Sequence, residues 1–154
     1  MCSSDLGIGQ LLPRLDPRFV TEYIALDISS HALAQLPASD IPASRLNANI
    51  VARPLPSQER YDAIVASEVL YYLEDPMGVL DRLCENLSET GCLIISMGRP
   101  PPGREKWVPI IDGIWQDLDR SEWVFQDEVI LTDVPSDLTW RVRVVRAPVE
   151  PATR

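Results

Sequence analysis

Hydrophobic and polar positions follow a strand, helix and strand pattern in residues 61–97. The continuous apolar run at residues 63–66 is entered from a polar turn, which predicts a strand buried on both faces. Apolar residues then recur three and four positions apart over residues 69–87, which predicts a helix. A second buried strand is predicted at residues 92–96. Two buried strands joined through a helix predict a parallel crossover unit, with functional loops at the carboxyl ends of the strands.

The limits of this helical segment are indicated by three residues. Asp75 is a good N-cap, and Pro76 suits the first turn of the helix that follows it. We expect Gly91 to end the helix, because glycine is the preferred residue after the last helical turn.

A second pattern with functional meaning lies near the N-terminus. Gly7 and Gly9 form a turn before a short helical stretch, where glycines allow close approach of a ligand and a helix N-terminus offers N–H donors. A buried strand at residues 23–26 then ends in Asp27. A carboxylate about twenty residues after such a turn can accept hydrogen bonds from ribose. The alternative is that Asp27 caps the helix predicted at residues 29–36.

The remaining pattern completes a sheet. We expect a third strand at residues 49–51 and an imperfect helix at residues 105–118. Strand-like segments at residues 123–131 and 138–145 are separated by a turn-rich stretch, which predicts an antiparallel hairpin. The chain is therefore predicted to be an α/β protein with a doubly wound Rossmann-like sheet, mostly parallel, closed at one edge by this hairpin.

The N-terminal residues do not resemble the start of such a fold. Residues 1–6 offer almost no apolar material for a buried strand, so we interpret them as a non-native leader that precedes a truncated first strand. The domain is expected to span residues 7–147, and the polar, proline-containing residues 148–154 are expected to be a disordered tail.

The charge balance limits the classes of partner. The chain has 23 acidic and 14 basic residues and a formal charge of −9, which argues against binding nucleic acid or an anionic membrane. Arg141, Arg143 and Arg146 are the notable basic cluster. Their near-alternate spacing predicts the solvated face of a strand.

The cysteines and the histidine do not predict a metal site. Cys2, Cys84 and Cys92 lack metal-ligand spacing, and His31 has no partner at catalytic spacing. The sequence has no membrane-spanning run and no secretion signal, so a reduced cytoplasmic compartment is expected. No pattern predicts an oligomeric state.

Taken together, the segments GIGQLL, YIALDIS and YDAIVASEVLYYLEDP, followed by LSETGCLIIS, resemble class I S-adenosylmethionine-dependent methyltransferases. The resemblance covers about residues 7–146. Within that superfamily, SEVLYYLED is similar to the small-molecule N-methyltransferases of the nodulation type. The resemblance implies S-adenosyl-L-methionine as the cofactor and a small molecule with a nitrogen or oxygen nucleophile as the methyl acceptor.

The resemblance also implies roles for individual residues. Gly7 and Gly9 match the last two glycines of the family's glycine turn and would pass under the methionine portion of the cofactor. Asp27 matches the acid that binds the ribose. Further cofactor contacts are implied at Ile28 and Ser67, and the residues that would border the methyl group and substrate as catalytic candidates are Glu68 and Tyr72.

Two departures from the family pattern affect the expected site. The glycine turn matches in two registers, which place either Ser3 or Asp5 at its acidic position, and the first gives the more usual spacing to the second strand. Residues 45–58 contain no Asp or Glu, so the acid that usually holds the adenine amino group is missing. We expect backbone groups near Val51 and Ala52 to replace it.

Two other functions stay open on the sequence. The incomplete glycine turn and the missing acid would also fit a catalytically inactive cofactor- or partner-binding domain of the same fold. An NAD(P)-dependent oxidoreductase is disfavoured, because Leu12 stands where G-x-G-x-x-G requires its third glycine. Methyl transfer from a sulfonium mainly requires positioning and dehydration, so the lack of a triad or metal cluster is compatible with it.

Overall fold

The structure is a computed structural model that describes residues 2–4, 10–52, 55, 60–100, 103, 105–135 and 138–147. Its strands are β1 (Cys2–Ser4), β2 (Tyr23–Asp27), β3 (Ala43–Asn47), β4 (Tyr61–Ser67), β5 (Leu87–Gly98), β6 (Val124–Asp133) and β7 (Leu138–Arg146). Its helices are α1 (Ser30–Ala34), α2 (Pro76–Cys84) and α3 (Val108–Arg120). Short 3₁₀ turns lie at Leu12–Arg14, Leu70–Tyr72 and Glu105–Trp107.

All seven strands form one sheet in the order β3-β2-β1-β4-β5-β7-β6. The first five strands in this order pair in parallel, whereas β7 pairs antiparallel with both β5 and β6. The predicted doubly wound sheet with an antiparallel hairpin at one edge is confirmed.

Helices cover both faces of this sheet. Along β2, Tyr23 and Ala25 pack into one apolar cluster with Leu33 of α1, whereas Leu26 points to the opposite face. That second face carries the larger core, which is formed with residues of α2 and α3. The alternation follows from the two-residue period of a strand. Within the described part of the chain, no helix is both long and apolar enough to cross a membrane.

The crossover between β4 and β5 confirms most of the central pattern but corrects one limit. Asp75 caps α2 by accepting a hydrogen bond from the Gly78 N–H at 2.9 Å, as predicted. The prediction that Gly91 ends this helix is wrong, because α2 ends at Cys84 and Gly91 lies within β5. A Cβ at Gly91 would lie 2.7 Å from the Tyr61 carbonyl oxygen, so glycine allows the two backbones to approach at a register shift.

The third strand lies earlier than predicted. It is Ala43–Asn47, at the free edge of the sheet beside β2, and not residues 49–51. Because β3 is an edge strand with a mostly exposed polar surface, it lacks the continuous apolar run used to predict a strand. Residues 49–51 instead lie at a turn, in which Val51 N–H donates to Asn49 Oδ1.

The first strand position is filled by residues that we assigned to a leader. The backbone of Cys2–Ser4 pairs in parallel with β2 on one side and β4 on the other. The low apolar content of residues 1–6 did not predict this pairing. The non-native origin of residues 1–6 stays a prediction, and residues 148–154 lie outside the described residues.

The prediction of a solvated face is wrong for Arg141 and Arg143 of β7, whereas Arg146 is exposed. Arg143 is only 6% exposed; its guanidinium donates to Asp119 Oδ1 at 2.6 Å and to Glu128 Oε2 at 2.8 Å. Arg141 donates to the same Glu128 oxygen at 2.7 Å. Both guanidinium groups lie over the Trp115 ring, with centroid distances of 4.6 and 5.2 Å. Helix α3 and strand β6 supply the groups that cover these cations.

This network makes a pH-dependent contribution to stability. Burial would raise the pKa of Glu128, but the hydrogen bonds and charges of Arg141 and Arg143 hold it below its ordinary value. A folded-state pKa below the unfolded value stabilises the fold above the ordinary glutamate pKa of about 4.3. This contribution is lost as the pH falls through the lower folded-state value.

We predict that Arg143→Ala lowers the free energy of unfolding by about 2 kcal/mol, because it removes two charge-assisted hydrogen bonds from a buried position. Arg120→Ala is the matched control, since Arg120 is 76% exposed and its nearest carboxylate oxygen, on Asp117, is 4.0 Å away. That change should cost no more than about 0.5 kcal/mol. Urea denaturation measures both; equal losses would contradict a role for the Arg143 network.

Candidate functional site

A cleft of about 1060 Å³ lies at the carboxyl edge of the parallel strands. It is bordered by the end of β2, the segment after β3, and the segment that leads from β4 into α2. Its lining residues are residues 26–28, 48–52, 69, 72–75, 79 and 82. Ligands of open α/β sheets bind at this edge, and a cleft of this size accommodates a ligand of drug-like dimensions.

Asp27 lines this cleft as the last residue of β2 and is 8% exposed. Its Oδ1 accepts a hydrogen bond from the Ser29 N–H at 2.7 Å, which sets the direction of the chain as it leaves the strand. The capping role considered for Asp27 belongs to Ser29, whose Oγ accepts from the Ala32 N–H at 3.2 Å. The buried carboxylate of Asp27 is therefore a cleft residue that also orders the turn before α1.

Asn47 is a positioning residue that the sequence did not predict. It is the last residue of β3 and lies opposite Asp27 in the strand register. Its Nδ2 donates to the carbonyl oxygens of Asp27, at 3.1 Å, and Ile28, at 2.9 Å. The side chain thus fixes the backbone that carries the cleft carboxylate. Its role depends on a partner twenty residues away. Because the third strand was predicted at residues 49–51, pairing of Asn47 with Asp27 was not expected.

The cleft combines apolar and acidic surfaces. Ile28 is 73% exposed although it is a large aliphatic residue, and both Ile28 and Val69 line the cleft. The charged side chains among the lining residues are the carboxylates of Asp27, Glu74 and Asp75 and the guanidinium of Arg82. This surplus of negative charge favours a ligand with a positive group.

Glu68 follows β4 at the corner where the chain turns away from the sheet. Its φ is +55°, and it is the one non-glycine residue with positive φ among the described residues. Its N–H donates to the Ser96 carbonyl oxygen at 2.9 Å, and its Oε2 accepts from the Tyr71 hydroxyl at 3.0 Å. Left-handed backbone costs a non-glycine residue about 1 kcal/mol or more, and such residues cluster at functional sites.

Tyr71 acts as a hydrogen-bond donor to this carboxylate. Burial raises the pKa of the Tyr71 hydroxyl well above its ordinary value, and the negative charge of Glu68 raises this pKa further. The phenol therefore stays protonated over the physiological pH range and holds the Glu68 carboxylate in place.

A smaller cavity of about 180 Å³ lies on the other side of this corner. Its walls include Glu68 and the rings of Tyr71, Tyr72 and Trp107. The three rings contact one another, with centroid separations of 4.5, 5.7 and 5.4 Å. Tyr72 lines both this cavity and the large cleft, so the two spaces are neighbours.

The structure brings together four of the predicted site residues. Asp27, Ile28 and Tyr72 line the large cleft, and Tyr72 and Glu68 line the small cavity. Ser67 lies within the ladder opposite Ser96, half-buried, and is not among the residues that line these two spaces. The predicted glycines, Gly7 and Gly9, lie outside the described residues.

Three aromatic residues of the small cavity, Tyr71, Trp107 and Trp140, were missed by the sequence analysis. Tyr71 precedes the predicted Tyr72, and the double tyrosine of SEVLYYLED was the available signal for it. Trp107 lies at the end of the turn before α3, and only the fold shows that this turn reaches the corner after β4.

Comparisons with known proteins give one family and many structural matches. A family model described as a methyltransferase domain matches residues 6–130. No curated protein matches this chain significantly.

Among solved structures, the chain is similar to the N-methyltransferase NodS from Bradyrhizobium japonicum WM9, solved in complex with S-adenosyl-L-homocysteine. The two structures align with a TM-score of 0.71 at 19% sequence identity, and the alignment covers 96% of this chain and 77% of that chain. An S-adenosylmethionine-dependent methyltransferase from Mesorhizobium loti gives a TM-score of 0.69 at 16% identity, covering 95% and 90% of the two chains. Magnesium protoporphyrin IX methyltransferase from Synechocystis PCC 6803 with bound S-adenosyl-L-homocysteine gives 0.66 at 15% identity, covering 95% and 73%. At these identities the structural matches establish the fold alone.

We predict that the backbone at Glu68 reverses the usual ranking of alanine and glycine. Glu68→Gly and Glu68→Ala both remove the carboxylate, but only glycine adopts a φ of +55° without a steric cost. The glycine variant should therefore be more stable by about 1 kcal/mol in urea denaturation.

The neighbouring Ser67, in β4, provides the control for this pair. There Ser67→Gly should be less stable than Ser67→Ala by about 0.5 to 1 kcal/mol, as in an ordinary strand. The same ranking at both positions would contradict backbone strain at Glu68.

Proposed function

This chain belongs to the methyltransferase domain family, and from that premise we propose that it transfers a methyl group from S-adenosyl-L-methionine to a small-molecule acceptor with a nitrogen or oxygen nucleophile. When bound, this cofactor supplies a methyl group attached to a positively charged sulfur. The observation that carries the proposal is the buried carboxylate of Asp27, which lines the large cleft at the carboxyl end of β2.

The residues that line the cleft fit S-adenosyl-L-methionine, which consists of a nucleoside joined to a methionine through a sulfonium. The cleft volume of about 1060 Å³ lies at the upper end of the range for small-molecule sites. Asp27 offers acceptor oxygens for ribose hydroxyls, and Ile28 and Val69 offer apolar surface for a flat base. The acidic lining favours the positive charge of a sulfonium.

The segment after β3 supplies the groups that we propose hold the adenine ring. Val51 N–H donates to Asn49 Oδ1 at 2.9 Å, and Ala52 N–H donates to the Asn49 carbonyl oxygen at 3.1 Å. Both of these N–H groups already have a partner. We therefore propose that carbonyl oxygens of this turn, which can accept from the adenine amino group, replace the missing acid.

On the acceptor side, we propose that Glu68 and Tyr72 border the reacting groups. Glu68 lies at the corner after β4, and Tyr72 is shared by the cleft and the small cavity. Methyl transfer requires the nucleophile to be aligned with the methyl group in a site from which water is excluded. A carboxylate fixed by Tyr71 can orient the acceptor, and the exposed ring of Tyr72 can cover it. Ser67, which precedes this corner, stays a proposed cofactor contact.

We predict that Asp27→Asn weakens binding of S-adenosyl-L-homocysteine by about 10- to 100-fold, because hydrogen bonds to a charged acceptor contribute about 1.5 to 3 kcal/mol. The amide keeps the size of the side chain and one oxygen that can accept from the Ser29 N–H. Titration calorimetry measures the dissociation constants of both proteins.

Asp40→Asn is the matched control for this test, since Asp40 is exposed and lies away from the cleft lining. It removes the same charge and should leave the affinity unchanged. Equal affinities for the unmodified protein and Asp27→Asn, or no heat with the unmodified protein, would contradict the proposal.

A further inference from the structure

The small cavity beside the cleft combines one carboxylate with several aromatic rings. Its volume of about 180 Å³ is less than a fifth of the volume of the large cleft, which is about 1060 Å³. This space suits a small head group. The part of the acceptor that enters it must therefore be compact, whatever the size of the remainder.

The carboxylate of this cavity is held firmly at its wall. Tyr71 donates to Glu68 Oε2 at 3.0 Å, and a Cβ built on Gly98 would lie 3.3 Å from the same oxygen. The same Cβ would lie 2.9 Å from Trp140 Nε1. The absence of a side chain at Gly98 thus allows the Glu68 carboxylate and the Trp140 indole to approach each other over the end of β5.

A neutral ligand in this cavity would displace water from the Glu68 carboxylate without supplying a positive charge to balance it. Taking water from a carboxylate is costly, and a protonated amine offsets this cost because it brings a positive charge and N–H donors. The carboxylate therefore favours a cationic head group.

The rings of the cavity favour a cation for a second, independent reason. Tyr71, Tyr72 and Trp107 contact one another as a cluster, and the face of an aromatic ring attracts an ammonium within about 6 Å. Lys106 provides an example within the chain, since its Nζ lies 5.4 Å from the Trp107 ring centroid. Trp107 thus already has one cation of the chain against its ring.

Two cations of the chain border this cavity. Arg99 is among its lining residues, and Lys106 lies over Trp107. Both residues are exposed, so water and salt screen their charges. Glu68 is less exposed and more strongly held, and it is the carboxylate that lines the cavity.

We propose that the acceptor enters this cavity as a protonated amine, which is bound by the Glu68 carboxylate and by the ring faces of Tyr71, Tyr72 and Trp107. An ammonium has no lone pair with which to attack a methyl group, so before transfer the amine gives one proton to the Glu68 carboxylate, which becomes a carboxylic acid. This inference rests on the proposed function, because it takes the small cavity as the acceptor side of the methyl-transfer site. It narrows the acceptor to a molecule with a compact cationic amine group.

The test uses two probes of the same shape, tert-butylammonium chloride and tert-butanol, which differ in charge. Their dissociation constants are measured at fixed ionic strength by NMR titration of the tryptophan indole N–H signals, with and without S-adenosyl-L-homocysteine. We expect the ammonium to bind about tenfold more tightly than the alcohol. Glu68→Gln should abolish this preference, because the amide keeps the shape and loses the charge.

Two matched variants separate the ring contribution from a change in shape. Tyr72 is 64% exposed, so its replacement should leave the fold intact. Tyr72→Leu should weaken ammonium binding about threefold, whereas Tyr72→Phe, which keeps the ring, should not. Glu89→Gln removes one negative charge from an exposed position on β5 and should preserve the preference for the ammonium.

Each outcome supports or overturns the inference. Equal affinity for the two probes, no binding of the ammonium, or a preference that survives in Glu68→Gln would overturn it. Binding of S-adenosyl-L-homocysteine without any ammonium preference would overturn this inference and leave the proposed function intact. An ammonium preference without S-adenosyl-L-homocysteine binding would support a cation-binding cavity and contradict the proposed function.

Discussion

Parallel pairing of β2, β1 and β4 is the constraint on which the site depends. Leu26 and Ala66 both lie opposite Ser4 in the register, so β2 and β4 end at the same level with one strand between them. Two strand spacings are about 9.6 Å. The carboxylate of Asp27 and the corner at Glu68 therefore lie across the end of β1 from each other. A slip of one residue in either ladder would turn the side chain at the end of the strand to the opposite face.

The antiparallel hairpin contributes to the site as well as to the sheet edge. Trp140 of β7 lies against Gly98 at the end of β5 and forms part of the wall of the small cavity. The ion pair of Arg143 with Asp119 joins α3 to this hairpin, and the ion pair of Arg143 with Glu128 links its two strands. The turn that carries Trp107 directly precedes α3. The packing of α3 against the hairpin thus also sets the distance between the hairpin and the aromatic cluster of Tyr71, Tyr72 and Trp107.

The buried parts of the fold could be predicted because burial leaves a continuous apolar record in the sequence. The strand at residues 63–66 is an example. The helix cap at Asp75 was predictable for a different reason, because Asp followed by Pro is typical of a helix N-terminus. The edge strand Ala43–Asn47 has no such record, because its side chains are largely exposed. The arginines of β7 alternate as solvated residues do, and only the position of α3 shows that acidic and aromatic groups cover them.

The candidate site was predictable where one strand determines a residue's position, as at Asp27. Asn47 could not be recognised, because its role is a hydrogen bond to a strand end twenty residues away that only the fold brings near. Tyr71 bonds to Glu68 three residues before it, and the double tyrosine was the signal available for it. The positive φ of Glu68 is likewise set by the turn after β4 and by its bond to Ser96. Side chains that act by positioning other groups leave little trace in the local sequence pattern.

The most direct test of this account is a crystal structure of the chain with S-adenosyl-L-homocysteine. The account predicts that the ribose hydroxyls lie within hydrogen-bond distance of the Asp27 carboxylate, that the base lies against Ile28, and that the sulfur faces the Glu68 corner. A nucleoside bound elsewhere, or bound in the cleft with its ribose away from Asp27, would contradict the account.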